Sequence, residues 1–489
     1  MNKENIKKIS TFGFFAMTAS MVMTVYEYPV FAQSGFATLF YAIVAGVFWF
    51  IPVALISAEF ASVKLWPKEG IFSWVSKTLG NRLGFLAIFF QWFQITVGFI
   101  TMIFFIVGAL SFVLGKPEMI SNPVLYFLSV IVIFWIITIS QFLGTKVTTK
   151  IAKVGLVGGI LIPVSILFAM GILFIVQGNP LQIEFNISTL IPDFSKVNTL
   201  VVFSGFILAF MGIEASAAHI DEISNPKKTF PLVMISIAIL TITFDSLGGI
   251  IIASVLPPDQ IGANIGVIDS LQYLFKYTFD TFGVANADNI ALLTTKVFAL
   301  VIALGVVAEI SAWVVGPSKG MFLAAKRGYL PKLFSKTNTF DVPTNFIIFQ
   351  GFLATAWAAV LVFGTSGSGN MSFLLAIGLT VILYLIAYIL FFIAYIVLIT
   401  KHKDLERTYQ VPFKKIGKWI FAISGLVLSI GALLISFVPP SSLHSSQKSI
   451  YLILIVVSVA VSVALPLLIY EFYSKKEIKK ISELENNKK

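Results

Sequence analysis

The chain has 489 residues, of which 58% are hydrophobic and 12% charged, and its mean hydropathy is +0.94. So few charges cannot cover a soluble domain of this length, which excludes a soluble enzyme or binding module. The net charge of +11 invites a nucleic-acid reading, but its placement excludes that too. With the N-terminus inside, every Lys and Arg except Lys116, Lys196, Lys276, Lys296 and Lys448 falls on inner segments or the tail. That is the positive-inside bias, and it places both termini in the cytoplasm. The basic clusters then serve topology and contact with the lipid bilayer.

Roughly 20 apolar residues cross a bilayer, so the chain reads as an all-α membrane protein with about twelve spans. Their expected limits are 11–33, 38–62, 84–114, 122–141, 151–177, 199–219, 231–255, 291–325, 345–364, 371–400, 416–438 and 449–472. The first segment is not read as a cleaved signal, because it is long, carries Glu27 and lacks a small-residue cleavage site. It is interrupted at Met23-Thr24-Val25-Tyr26-Glu27-Tyr28-Pro29, where Pro29 removes a donor and disfavours helix before it. Glu59, near the inner end of span two, is expected to meet a loop.

Span six is interrupted too. Gly212-Ile213-Glu214 places a carboxyl inside an apolar run, and such a group marks a pathway or a ligand. The glycine lets the helix break. The interruptions lie five spans apart, which points to an inverted-repeat transporter with its site at the breaks. His219, on the inner half of this span, reads mainly as a structural hydrogen-bonder, with pH sensing as the alternative. Asp245 in span seven is a candidate proton site, or a helix-to-helix hydrogen bond. The connection 256–290 is expected to hold a short surface helix.

Glu309 and Trp313 lie four apart in span eight and share a face. The segment 364–370 reads as a flexible hairpin. Tyr384 and Tyr388 sit mid-span, where a tyrosine needs a hydrogen-bond partner and faces the bundle interior. Each of these has a plainer reading: Glu214 and Glu309 as protonated carboxyls bridging helices, the tyrosines as packing, Trp313 as core. The tail 474–489 alternates Lys with Glu and reads as a solvated end. With no cysteine and three scattered histidines, no metal site, cofactor or nucleophile is implied, and an enzyme is not expected.

A broken helix offers N–H groups to a carboxylate and freed carbonyls to an ammonium, which suits an amino acid. Carboxyls without Arg or Lys in the pocket favour net-neutral or cationic cargo.

The motifs resemble those of the amino acid–polyamine–organocation superfamily, and within it the bacterial glutamate/γ-aminobutyrate (GABA) antiporter branch. They are GFFAMTASMVMTVYEYPVFA (13–32), TKVTTKIAKVG (145–155), IPDFSKV (191–197), GIEASAAHIDEISNP (212–226), AEISAWVVGPSKGM (308–321) and MSFLLAIGLTVILYLIAY (371–388). The resemblance implies a LeuT-like fold: five-helix inverted repeats at 11–177 and 199–400, and two peripheral helices at 416–472. It implies exchange of extracellular glutamate for intracellular GABA in a bacterial inner membrane, supporting acid resistance beside a cytosolic glutamate decarboxylase. An exchanger or permease for other amino acids, such as glutamine or GABA alone, is the alternative. Carried over by position, Tyr26, Glu214, Glu309, Trp313, Tyr384 and Tyr388 form the substrate path; from the reading of the residues themselves, Gly212 joins that path as the break, and Glu27, His219 and Asp245 are candidates for proton coupling. Two departures stand out. Thr24-Val25-Tyr26 replaces the Gly-Ser-Gly-like break of many members, and the tail is too short for the plug some members carry. A pH switch is therefore expected to be weaker or to lie elsewhere.

Overall fold

The computed structural model describes residues 9–486 apart from 65, 67–68, 195–196, 224, 258–259, 263–264, 365–368 and 441–442. Ser224 of the sixth-span motif, Asp259 and the tip of the 364–370 hairpin lie outside the described residues. Among those described there is helix and no strand, only isolated bridges at Ile9–Ile223 and Val63–Arg407. Helix is what a bilayer imposes, because each backbone donor finds its acceptor within the same segment.

Among the described residues, eleven helices are long and apolar enough to cross a membrane. The remaining expected span, the first, is in two pieces, Thr11–Val22 and Tyr28–Ala32. The chain is thus a multi-pass membrane protein of about twelve spans. Spans two to five are Ala37–Ala61, Asn81–Leu114, Pro123–Leu143 and Thr145–Val176. Span six, Val202–Ile220, is built from the helix Val197–Ala209 and the 3-10 segment Ile213–Glu222, which runs on past the end of the span. Spans seven to ten are Pro226–Val255, Ala287–Lys326, Thr344–Phe363 and Gly369–Lys401. Spans eleven and twelve are Lys414–Ile435 and Ser445–Tyr473. The last helix runs on to Asn486, through most of the tail expected to be a solvated end.

Spans six and three lie deepest in the bundle. Their most apolar windows are 89% and 78% buried, against 22% for span eleven and 17% for span twelve. Span three packs along spans eight and ten, and this fixes what can face the two breaks. Spans five and eight approach most closely where Gly159 meets Gly305: a Cβ on Gly159 would sit 2.2 Å from the Gly305 nitrogen. Small residues permit such close crossings in lipid. Polar side chains then bond across the helices. Trp92 and Ser318 both donate to the Gln350 Oε1, at 2.7 and 2.8 Å, which joins spans three, eight and nine.

The expected surface helix is present as Gly266–Thr281, between spans seven and eight. Its first glycine packs on Pro29 of the broken first span. Glu59 meets a loop, as its position near the end of span two implied. It accepts from Arg407 Nη1 at 2.5 Å, Tyr395 OH at 2.8 Å and the Val411 N–H at 2.8 Å, with Lys418 Nζ 3.0 Å away.

Candidate functional site

The first helix stops because Met23 turns extended (φ −98°, ψ 105°) and Pro29 opens the next piece without an N–H to offer. Between them, Glu27 folds back on its own segment. Its carboxylate accepts from Thr24 Oγ1 at 3.0 Å and from Tyr26 OH at 3.4 Å. In span six the chain turns at Gly212, whose φ of +110° suits only glycine. Space gives the same answer, because a Cβ there would lie 2.3 Å from the Trp313 ring.

Trp313 ties the two interruptions together. Its ring lies against Gly212, and its Nε1 donates to the freed Met21 carbonyl at 3.0 Å, at the end of the first half-helix. Beside it is a cavity of about 40 Å³. Tyr26, Glu27, Gln94, Thr101, Glu309, Trp313, Thr380 and Tyr384 line it with apolar neighbours, and no Lys or Arg is among them. Glu309 is 4% exposed and has no hydrogen-bond partner among the described residues. A nearly buried carboxyl aimed into a cavity without a protein partner is poised for a ligand or a proton.

Glu214 stands elsewhere than a pocket wall. It is fully buried and absent from the cavity lining. Gln91 Nε2 donates to its Oε1 at 2.8 Å, Tyr384 OH donates to the same oxygen, and Tyr388 OH donates to Oε2 at 2.5 Å. Tyr388 OH in turn accepts the Gly212 N–H at 2.8 Å. Gly212, Glu214 and Tyr388 thus form a layer behind the cavity, and Tyr384 is shared by both. The mid-span tyrosines have the hydrogen-bond partner that their position demanded, and their rings lie 4.7 Å apart.

Glu27, at the break in span one, is itself part of the cavity lining. Asp245 is buried, with its Oδ2 unpartnered among the described residues, and lies within electrostatic reach of Glu27 and Tyr28. His219 is far from the cavity lining. Its Nδ1 lies 3.3 Å from Glu222 Oε2, and Lys319 pairs with the other oxygen of the same carboxylate. Burial acts against the Glu222 charge, but His219 and Lys319 outweigh it and hold its carboxyl down to about 2. The Ile9 N–H donates to the Glu222 carbonyl at 2.7 Å, so this knot also fastens the start of the described chain.

Residue-by-residue reading of the sequence left out Gln91, Gln94, Thr101 and Thr380. The signal was available for the glutamines, since two glutamines in the middle stretch of a 34-residue apolar helix are conspicuous. Groups of His, Cys, Asp or Glu fit to hold a metal are absent among the described residues.

Two broken helices meeting at a small, acid-lined cavity inside a multi-span bundle define a membrane transporter of small molecules. The chain belongs to the amino acid permease family, whose model matches residues 9–459. It is 51% identical over 472 residues to the glutamate/gamma-aminobutyrate antiporter of Lactococcus lactis subsp. lactis, covering 96% of this chain and 92% of the relative. An uncharacterized transporter of Legionella pneumophila is 30% identical over 438 residues, 89% of this chain and 91% of its own. The putrescine transporter of Escherichia coli is 24% identical over 283 residues, 57% of this chain and 58% of its own.

Proposed function

We propose that the chain is an amino acid antiporter that exchanges extracellular glutamate for intracellular GABA by alternating access. The observation that carries the reading is the cavity at the two breaks, with two carboxyls, hydroxyls and an amide in its wall and no cationic side chain. Glutamate and GABA each carry an ammonium, and Glu27 and Glu309 are the charges available to it. The ends of the half-helices add carbonyls for the ammonium and N–H groups for a carboxylate. The acid lining supports glutamate entering in net-neutral form, since like charges repel in a low-dielectric site. The 51% identity to a glutamate/gamma-aminobutyrate antiporter supports the same cargo pair.

In this reading Tyr26, Glu309, Trp313 and Tyr384 contact the cargo. Gly212, Glu214 and Tyr388 shape and move the wall behind it. Glu27 and Asp245 couple protons to exchange, and His219 acts at the basic face through Glu222. The fold is two inverted five-helix repeats plus two peripheral helices, a reading supported by breaks five spans apart. The basic face, with Lys64, Lys227, Arg327 and Arg407, lies in the cytoplasm of a bacterium, and the span is its inner membrane. A cytosolic decarboxylase that turns glutamate into GABA consumes a proton, and the exchange would export that equivalent and support acid resistance.

Counterflow in proteoliposomes tests the reading. Vesicles loaded with GABA should take up labelled glutamate at acidic pH, and unloaded vesicles should not. Uptake indifferent to internal GABA would overturn antiport. Uptake driven equally by internal glutamine would favour the broader exchanger.

A further inference from the structure

Glu214 is a third carboxyl within one side chain of the cavity, and it does not face the cargo. Tyr384 belongs both to the cavity wall and to the group of donors on Glu214. Rotation of Glu214 past that ring would add a negative charge beside Glu27 and Glu309. What prevents this is a match of donors to acceptors. An ionised carboxylate only accepts. Tyr388 spends its acceptor capacity on the Gly212 N–H and directs its hydrogen to Oε2 at 2.5 Å. The Gln91 Nε2 can only donate, and at 2.8 Å it donates to Oε1. Gln91 is 3% exposed, and its backbone carbonyl receives the Gln94 amide at 3.2 Å, which ties it to a cavity-lining neighbour one turn away. The three donors come from spans three and ten, while Glu214 sits on the segment after the break in span six. Of the three, Gln91 is the donor that neither titrates nor lines the cavity.

We infer that Gln91 is a positioning and specificity-determining residue: its amide holds the Glu214 carboxylate behind Tyr384, so that the cavity presents two carboxyls rather than three to the cargo. This rests on the glutamate/GABA exchange proposed above. Glutamate carries one carboxylate more than GABA, so a third carboxylate in the wall repels glutamate more strongly. Without the Gln91 donor, Glu214 keeps only the two tyrosines and gains freedom to turn.

The experiment uses the full chain, purified and reconstituted, with glutamate self-exchange and GABA self-exchange measured separately between acidic and neutral pH. Gln91→Leu should lower the ratio of glutamate to GABA exchange by about tenfold, the scale of one hydrogen bond to a charged group. Gln91→Glu keeps the shape and regains a donor only when protonated. Its ratio should approach that of the wild type at the acid end and collapse toward neutral pH, a pH signature that a packing role would not produce. If Gln91→Leu does not fold, the nearly isosteric Gln91→Glu carries the test alone. Equal loss of both cargoes at every pH, or no change in the ratio, would overturn the role of Gln91 and leave the antiporter reading standing. A wild-type chain that exchanges neither cargo would overturn both.

Discussion

Glu59 and Glu214 are both fully buried, and the chain treats them in opposite ways. Glu59 meets two cations, a tyrosine hydroxyl and a backbone N–H. Arg407, itself 2% exposed on its side chain, also donates to the carbonyls of His402, Lys403 and Leu405, so the loop after span ten is bound to span two. Glu214 meets only neutral donors, an amide and two phenols. A carboxylate fixed by two full positive charges is costly to move or unpair. One held by neutral hydrogen bonds keeps its orientation yet can exchange partners as helices shift. The first arrangement serves as a bolt and the second as a part that works, and the number of cations separates them.

The largest effect is expected at the bolt. Glu59→Ala leaves the buried Arg407, and the partly exposed Lys418 beside it, without their counter-charge and should destabilise the protein by about 3–5 kcal/mol. Thermal unfolding in detergent would register it, and a wild-type melting point would break the contrast. Glu214→Gln should behave differently: the fold stays near wild type, while exchange falls by about tenfold to a hundredfold, the scale of a lost charge-assisted hydrogen bond. Counterflow alongside a melting curve separates these outcomes, and a large loss of stability with normal exchange would reverse the assignment of the two carboxyls.

Gly212→Ala tests the break that carries Glu214. The new methyl would meet the Trp313 ring at 2.3 Å at a φ of +110°, and overpacking and backbone strain each cost about 1–3 kcal/mol. Exchange should fall more than stability, and recovery on adding Trp313→Phe would show that the ring contact matters.

The smallest effect concerns a carboxyl outside the spans. Burial pushes Asp269, in the first turn of the surface helix, from 3.8 up to about 6. Its folded form therefore binds the proton more tightly than the unfolded chain. The stabilising contribution is present below about 3.8 and is lost as pH rises through about 6. Asp269→Asn should raise the melting point slightly at pH 7 and leave it unchanged near pH 4. Glu222 has the opposite sign. Held down to about 2, its contribution is present above the ordinary 4.5 and is lost only as pH falls toward 2. The knot with Lys319 thus persists through mildly acidic conditions, and melting curves of Lys319→Met against pH should differ from wild type above about 4.5 and converge below about 2.

The spans, both breaks and the acids of interest were legible in the chain, because the bilayer penalises charge, proline and glycine wherever helix must continue. Glu214, Glu309, Trp313, Tyr384 and Tyr388 stood out for that reason, and the distribution of lysine and arginine set the expected orientation. Partners and facing were not legible. Periodicity marks a side of a helix but not which neighbour fills it, so nothing local shows that Gln91 on span three meets Glu214 on span six. Nor did any local pattern show that the unwound stretch after Met23 lets Thr24 and Tyr26 fold the Glu27 carboxyl into the cavity wall. Arg407 lies 348 residues from Glu59, and no local pattern links them. What the sequence alone determined is where the chain crosses the membrane and where it must break, since those follow from transfer cost along one segment. What only the tertiary structure decided is which carboxyl faces cargo and which is held away from it, because that depends on donors brought together from distant spans.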